Sequence, residues 1–520
     1  MAPTICNRCG DAVEEGCDPR EELAELDALL ERIRIKRYAL KRKINQLYSP
    51  IVRKLSPDVT STIFEFCLPD FTDHQLSPYT DEDTSIPLSL GTICSYWRDI
   101  AWSTPSLWSS LVVCITRERD SDIVTGMAQE WLTRSGQLPL SIHIYSETKN
   151  ETLSALIDTI NQYSTRWFDL DLHMPLHCYQ LFHATENHAP ILKSIRFFSS
   201  TNATTANATN LKFQLTCPRL DRASFSYFPV QGTDIQWDNL IHLTLHSIST
   251  TDSFLILRQT TRLVFCKISG SCPRYRGPRI EALVLTSLRS LQLNTRALDS
   301  KNFLNNLIAP QLEELSLPNY YNPSRGIITS FLRRSACSLR YFSMILSISP
   351  PYFEGFIRLV QSMPSLETLS IISITDIDLE NTTPEDYDPG NILRLVAEIL
   401  ASQSNQGFLL NLKTLEYTGK LCLRSGNYGD QYTLPPADNA VHGPLHVLKL
   451  DLRPATRIPK NMISYLSSLV ERGVTVNVLS DSDDILSNSE DVSQSSIDYC
   501  RCGKDSLCQD WVNNLDLSLF

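Results

Sequence analysis

From Leu23 onward, apolar residues fall alternately three and four positions apart: Leu26, Leu30, Ile33, Leu40, Ile44 and Leu47, with Arg37 taking one place in the series. This spacing keeps them on one seam of an α-helix, in the heptad manner of a coiled coil, and neither Gly nor Pro interrupts it. The flanks start acidic (Glu21, Glu22, Glu25) and end basic (Arg32, Arg34, Lys36, Arg37, Lys41, Arg42, Lys43), which complements the helix dipole. The pattern predicts a helix over 21–48 and leaves open whether its seam folds back on its own chain or pairs with a second copy. The basic stretch has the composition of a nuclear-import or phosphate-binding patch and equally of a solvated helix face.

Two shorter helical patterns follow. Pro57 suits a first helical turn, where its missing N–H is not needed, and Val59, Ile63, Phe64 and Cys67 continue at helical spacing. A second helix is predicted from about Leu88 to Ala101, with Leu90, Ile93, Cys94, Trp97 and Ile100 apolar. Thr104 and Pro105 then force a turn before Leu107 and Trp108.

Beyond about residue 138 the periodicity changes. A leucine, an apolar position three residues on and another two further on recur in PILKSIRF, WDNLIHLTL, SLRSLQL, APQLEELSL, MPSLETLSI and PLHVLKL. The anchors are Leu192, Leu220, Leu240, Leu263, Leu288, Leu312, Leu339, Leu366, Leu412 and Leu445, 20 to 28 residues apart except for gaps of 46 and 33. Most of these gaps lie in the leucine-rich-repeat range. The long gap contains ITDIDLENTTPEDYDPGNILRLVAEIL, which reads as an acidic loop followed by a helix, and Leu283 with Leu285 competes with Leu291 for a strand. Strand leucines should be core. Glu313, Glu314, Arg340, Glu367, Thr368, Lys413 and Thr414, beside them, form a polar face of the kind that holds a protein target, or a merely solvated one.

A chain of 520 residues exceeds what one hydrophobic core usually serves, so a small module joined to a larger one is expected. A net charge of -11 repels polyphosphate backbones unless a basic face is segregated from the rest, so nucleic acid is not expected as the main partner. The start has no apolar signal region and no long uncharged apolar run occurs, which predicts residence in the cytoplasm or nucleus and no membrane partner. Fifteen cysteines, nine of them (Cys67 to Cys422) scattered singly through apolar segments, fit reduced core thiols. Cys6, Cys9 and Cys17 with Cys500, Cys502 and Cys508 resemble zinc half-sites, but a lone CxxC lacks the second pair, so no metal is expected. There is no phosphate loop, nucleophile elbow or paired-His motif, so no cofactor and no catalysis are expected. The acidic, Ser-rich run at 480–496 has a disordered composition.

The segment YSPIVRKLSPDVTSTIFEF, followed by ICSYWRDIAWSTPSLW, resembles the F-box-like proteins numerous in fungi, in which a coiled-coil helix leads into the module. The likeness runs over Ser49, Pro50, Ile51, Leu55, Pro57, Val59, Ile63, Phe64, Cys94, Trp97, Arg98, Ile100, Ala101, Pro105, Leu107 and Trp108. It departs at Ser56, Asp58 and Thr60 and in a long insertion at 70–86. The resemblance implies a three-helix unit that docks on the small S-phase kinase-associated adaptor and so on a cullin scaffold. Leu55, Pro57, Val59, Ile63 and Phe64 form part of that contact, and Leu68, Ile93, Cys94, Trp97, Leu107 and Trp108 are further candidates. A unit of this size buries too little apolar surface by itself, so helices this rich in large side chains need a partner.

The expected fold class is therefore α+β: a heptad helix (21–48) and a three-helix F-box-like module (49–112), then an irregular leucine-rich-repeat-like α/β solenoid (113–480). A disordered start (1–20) and an acidic tail (481–520) flank them. The expected function is that of a substrate-receptor adaptor of a cullin-type ubiquitin ligase acting on an unknown protein target. A non-ligase interaction scaffold built from the same modules is the alternative.

Overall fold

The computed structural model describes residues 19–48, 54–69, 85–115, 121–146, 151–183, 188–199, 213–230, 233–270, 281–295, 297–317, 326–346, 350–373, 409, 411–418, 445–451, 466–467, 469–471, 473–479 and 498–500. The acidic loop and helix expected at 374–400, the run at 480–496 and the terminal Cys6, Cys9, Cys17, Cys502 and Cys508 lie outside them. The chain divides into two compact units, Met1–Cys114 with Asp122–Leu140, and Ile115–Ser121 with Ser141–Phe520.

The first unit carries α1 (Pro19–Tyr48), α2 (Pro57–Glu65), α3 (Ile86–Ile93) and α4 (Ser95–Ser103), a 3-10 turn at Pro105–Trp108, β1 (Ser110–Ile115) and α5 (Ser121–Arg134). The single helix expected over 88–101 is two helices. Cys94 stands extended between them, at φ -158° and ψ 166°, and its Sγ accepts the Trp97 N–H at 3.5 Å as the N-cap of α4. Trp108 and Trp131 are buried in the core of this unit, and the half-buried Trp97 and Trp102 cover them or their neighbours. Trp108 lies edge-on to Trp102 (5.3 Å) and to Trp131 of α5 (4.7 Å), and the Arg134 guanidinium sits over Trp102 and Trp108 at 4.9 and 5.2 Å. Phe64 closes the cluster against Trp97 at 4.9 Å. The indole N–H groups find carbonyls, Trp108 that of Ala101 at 2.7 Å and Trp131 that of Ser110 at 3.0 Å, as buried donors must.

The second unit overturns the expected fold class. Its architecture is α/β: among the described residues, 14 strands join one all-parallel sheet with helices in the connections, in place of an α+β chain made of a three-helix module and a solenoid. The strands begin β2 (Leu140–Ser146), β3 (Trp167–Met174), β4 (Ser194–Ser199), β5 (Phe213–Leu215), β6 (Arg222–Ser226), β7 (Thr233–Ile235), β8 (His242–His246) and β9 (Phe265–Gly270). They continue β10 (Leu283–Val284), β11 (Ser290–Thr295), β12 (Leu307–Ile308), β13 (Glu314–Leu317), β14 (Tyr341–Leu346) and β15 (Thr368–Ser373). The last are β16 (Thr414–Thr418), β17 (Val447–Asp451), β18 (Thr475–Leu479) and β19 (Asp498–Cys500). Apart from β5 with β7 and β10 with β12, which form two small parallel pairs, each strand neighbours the next in chain order. Leu283 and Leu291 therefore both belong to strands, in different sheets.

The physical reason for the correction lies in what the leucine pattern encodes. All ten anchor leucines are buried. They stand just before the strands, and in Leu192, Leu220, Leu240, Leu312, Leu366 and Leu412 the N–H closes a turn on the carbonyl three residues earlier. One carbonyl then accepts two N–H groups of the following segment: Arg289 takes those of Glu313 and Glu314, Glu313 those of Arg340 and Tyr341, Arg340 those of Glu367 and Thr368, and Glu367 those of Lys413 and Thr414. Copies that read as separate repeats are thus hydrogen-bonded into one sheet. Alternate strand positions such as Leu315, Phe342, Leu369, Leu415 and Leu448 are buried, and the connecting helices bury Phe254, Phe303, Phe331 and Phe356. Phe254 of α7 (Thr250–Gln259) stacks on Phe303 of α8 (Ala297–Asn306) at 5.3 Å, where α6 is Glu151–Asn161.

Candidate interaction site

The helix α2 begins on Ser56, whose Oγ accepts the Val59 N–H at 3.3 Å, and Pro57 occupies its first turn. Thr60 is buried and returns its hydroxyl to the Ser56 carbonyl at 3.0 Å, and Phe64 is 1% exposed. Those two residues fix the packed face. The opposite face carries Val59, Ile63 and Phe66, spaced i, i+4 and i+7, with exposures of 47%, 44% and 86%. The Phe66 N–H still bonds the Thr62 carbonyl at 3.2 Å, so Phe66 continues the helical geometry. Three large apolar side chains in this spacing are the anchor pattern of a helix that lies in an apolar groove. The Glu65 carboxylate accepts the Ser106 hydroxyl, which fastens the end of α2 to the 3-10 turn.

The residues expected to contact an adaptor therefore separate. Phe64, Leu107 and Trp108 are interior, and Leu55, Leu68, Cys94 and Trp97 are half-buried. Pro57, Val59, Ile63 and Ile93 are exposed. Phe66 was not among the expected set. The signal for it is positional: two residues apart on a helix, Phe64 and Phe66 point to nearly opposite sides, so one of them must face outward once the other is packed.

In the second unit the seven expected target-binding residues form two adjoining rows. Glu314, Thr368 and Thr414 align, with Tyr341 between the first two, in the register of β13 to β16. Glu313, Arg340, Glu367 and Lys413 stand one residue earlier, where the shared carbonyls are. Their side chains pair across strands: Arg289 to Glu313 at 3.0 Å, and Arg340 and Lys413 both to Glu367, the lysine at 2.8 Å. The hydrogen bonds from Lys413 and Arg340 hold the Glu367 carboxyl below its ordinary value. On the same face as the first row, Lys449 bonds Glu416 at 2.9 Å.

A tighter charged cluster lies on β2, β3 and β4. Arg196 donates its Nε–H to Asp171 at 3.0 Å and an Nη2–H to Asp169 at 3.1 Å, while His143 and His173 stand 3.5 and 3.3 Å from the Asp171 oxygens. Burial alone would raise the Asp171 pKa, but the two histidines and the Arg196 charge outweigh it and hold the carboxyl well below the usual carboxylate range. Among the described residues no group of three or more His, Cys, Asp or Glu side chains is placed to hold a metal ion, and no helix is long and apolar enough to cross a membrane. No protein-family model matches the chain, and no curated protein matches it.

Proposed function

We propose that the chain is a non-catalytic adaptor that joins two proteins. The stripe of Val59, Ile63 and Phe66 enters an apolar groove of one partner, and the polar rows at the starts of β13 to β16 hold the other. The observation that carries this reading is Phe66, a phenylalanine 86% exposed at the end of a helix whose other face is fixed by the packing of Phe64 against Trp97. Phenylalanine is enriched in interface cores relative to the rest of a protein surface. The resemblance of this segment to F-box-like proteins supplies the partner's class, the small S-phase kinase-associated adaptor that leads to a cullin scaffold, and makes the second protein a target for ubiquitin transfer by an enzyme elsewhere in the complex. Neither partner requires this chain to do chemistry.

The departures at Ser56 and Thr60 favour a second reading, since both serve α2 itself, one as its cap and one as a buried hydroxyl. In that reading the stripe binds a different protein and no ligase is recruited. Co-purification of the full chain with the S-phase kinase-associated adaptor separates the two. The first reading expects a stoichiometric complex weakened about 30-fold or more by Ile63→Asp or Phe66→Ala. No complex with the adaptor, or one indifferent to both substitutions, removes the ligase assignment.

A further inference from the structure

The 30-residue α1 is about 45 Å long and none of its described side chains is buried. Its seam residues Leu23, Leu26, Leu30, Ile33, Leu40 and Ile44 are 53 to 66% exposed. A heptad seam of this length left in water is a surface that wants a second helix. We propose that α1 is the interface between two copies of this chain, paired antiparallel and registered about residue 35.

Charge sets the direction. The first half of the helix carries Glu21, Glu22, Glu25, Asp27 and Glu31 against Arg20 and Arg32, and the second carries only bases, Arg34, Lys36, Arg37, Lys41, Arg42 and Lys43. A parallel, in-register pair would set Arg37 against Arg37 inside the seam and Lys36 beside Lys41, stacking like charge on like. The antiparallel pair sets the acidic end against the basic end and brings Asp27 beside Lys41, twice by symmetry; its like-charge contacts are confined to Arg34 and Lys36, each beside its own copy at the exposed two-fold axis, and none lies inside the seam.

Spacing sets the register. Counting Arg37, the steps between seam positions from Leu23 to Leu47 run three, four, three, four, three, four, three, and read the same in both directions. Reversal therefore places Leu23 opposite Leu47, Leu26 opposite Ile44 and Leu30 opposite Leu40. Each such layer is apolar on both sides. The only mixed layers pair Ile33 with Arg37, where a single guanidinium reaches outward to water along its own stem instead of meeting a second one. Any regular heptad seam reads alike in reverse, so spacing alone admits any such helix; the opposed charge of the two ends, each complementary to the other, is what makes a second copy the occupant.

Light scattering of the full-length protein is expected to give twice the chain mass. Leu30→Glu with Ile33→Glu halves it, while tryptophan fluorescence of the first-unit core stays unchanged, because no packed residue is touched. Arg37→Leu tightens the dimer roughly tenfold, since a charged seam position is replaced by an apolar one. Orientation is read by placing photoreactive p-benzoylphenylalanine at Leu26 and mapping the adduct on the second copy by mass spectrometry. An adduct within 40–48 is the expected result; one within 23–30 overturns the antiparallel pairing, and a single-chain mass at about 50 μM protein overturns the interface altogether.

Discussion

Gly91 lies directly against the indole of Trp102: a Cβ placed on this glycine would come within 2.1 Å of the ring. The contact lets α3 approach the first-unit core closely, and the Arg98 guanidinium bonds the Gly91 carbonyl at 2.8 Å. Two effects compete in Gly91→Ala. Alanine favours a helix by up to about 1 kcal/mol, whereas overpacking a rigid ring costs about 1–3 kcal/mol. The clash wins because a fused ring cannot yield as a flexible chain end does. We expect a net loss of about 1–2 kcal/mol in urea denaturation followed by tryptophan fluorescence, and a gain in stability would show that α3 does not pack this way.

Asp171 predicts an acid dependence for the second unit. Its folded carboxyl titrates below the ordinary 3.8, so the stabilisation it gives is whole above that pH and is lost as pH falls from there toward the folded value. Asp171→Asn should remove about 2–3 kcal/mol at pH 7, less than for an isolated buried pair because Asp169 still holds Arg196. The variant should also lose less stability than the natural chain between pH 5 and pH 3. Parallel losses in the two proteins over that range would separate the cluster from acid unfolding.

Cysteine chemistry distinguishes surface from interior. Burial pushes the Cys266 thiol up to about 12, and burial also pushes Cys217 up to about 12 against an opposing hydrogen bond to the Gln236 backbone. Cys67 is exposed at the end of α2. Brief iodoacetamide treatment of the native chain should label Cys67 and spare Cys217 and Cys266, which react only after denaturation. Early labelling of Cys266, mapped by mass spectrometry, would contradict the placement of β9 inside the sheet.

How much of this was legible depended on whether a signal is local. The heptad seam needs nothing beyond its own helix, and the expected 21–48 corresponds to α1 at Pro19–Tyr48. The anchor leucines were readable for a similar reason: each closes its own turn and precedes its own strand. The break at Cys94 was not, because Ile93, Cys94 and Trp97 keep helical spacing and no Gly or Pro marks the interruption; the extended residue is identified only by its dihedrals and its cap. The class of the second unit depended on whether successive strands join edge to edge, a fact about hydrogen bonds between segments 20 to 46 residues apart that no single copy states. The cluster around Asp171 was hidden likewise. Its alternation DLDLH reads as an ordinary strand, and Arg196 comes from the next one. For the α2 stripe, spacing puts Phe64 and Phe66 on opposite sides, but only the tryptophan core decides which side is covered.

The shared carbonyls give the sheet one more property. Among the described residues, each strand-start carbonyl from Arg289 to Glu367 accepts the N–H groups of the strand segment that follows it. Removing the chain beyond β15 would therefore leave the upstream strands joined as before while baring a fresh row of amide and carbonyl groups along the cut side, an adhesive margin ready to accept any extended peptide that meets it.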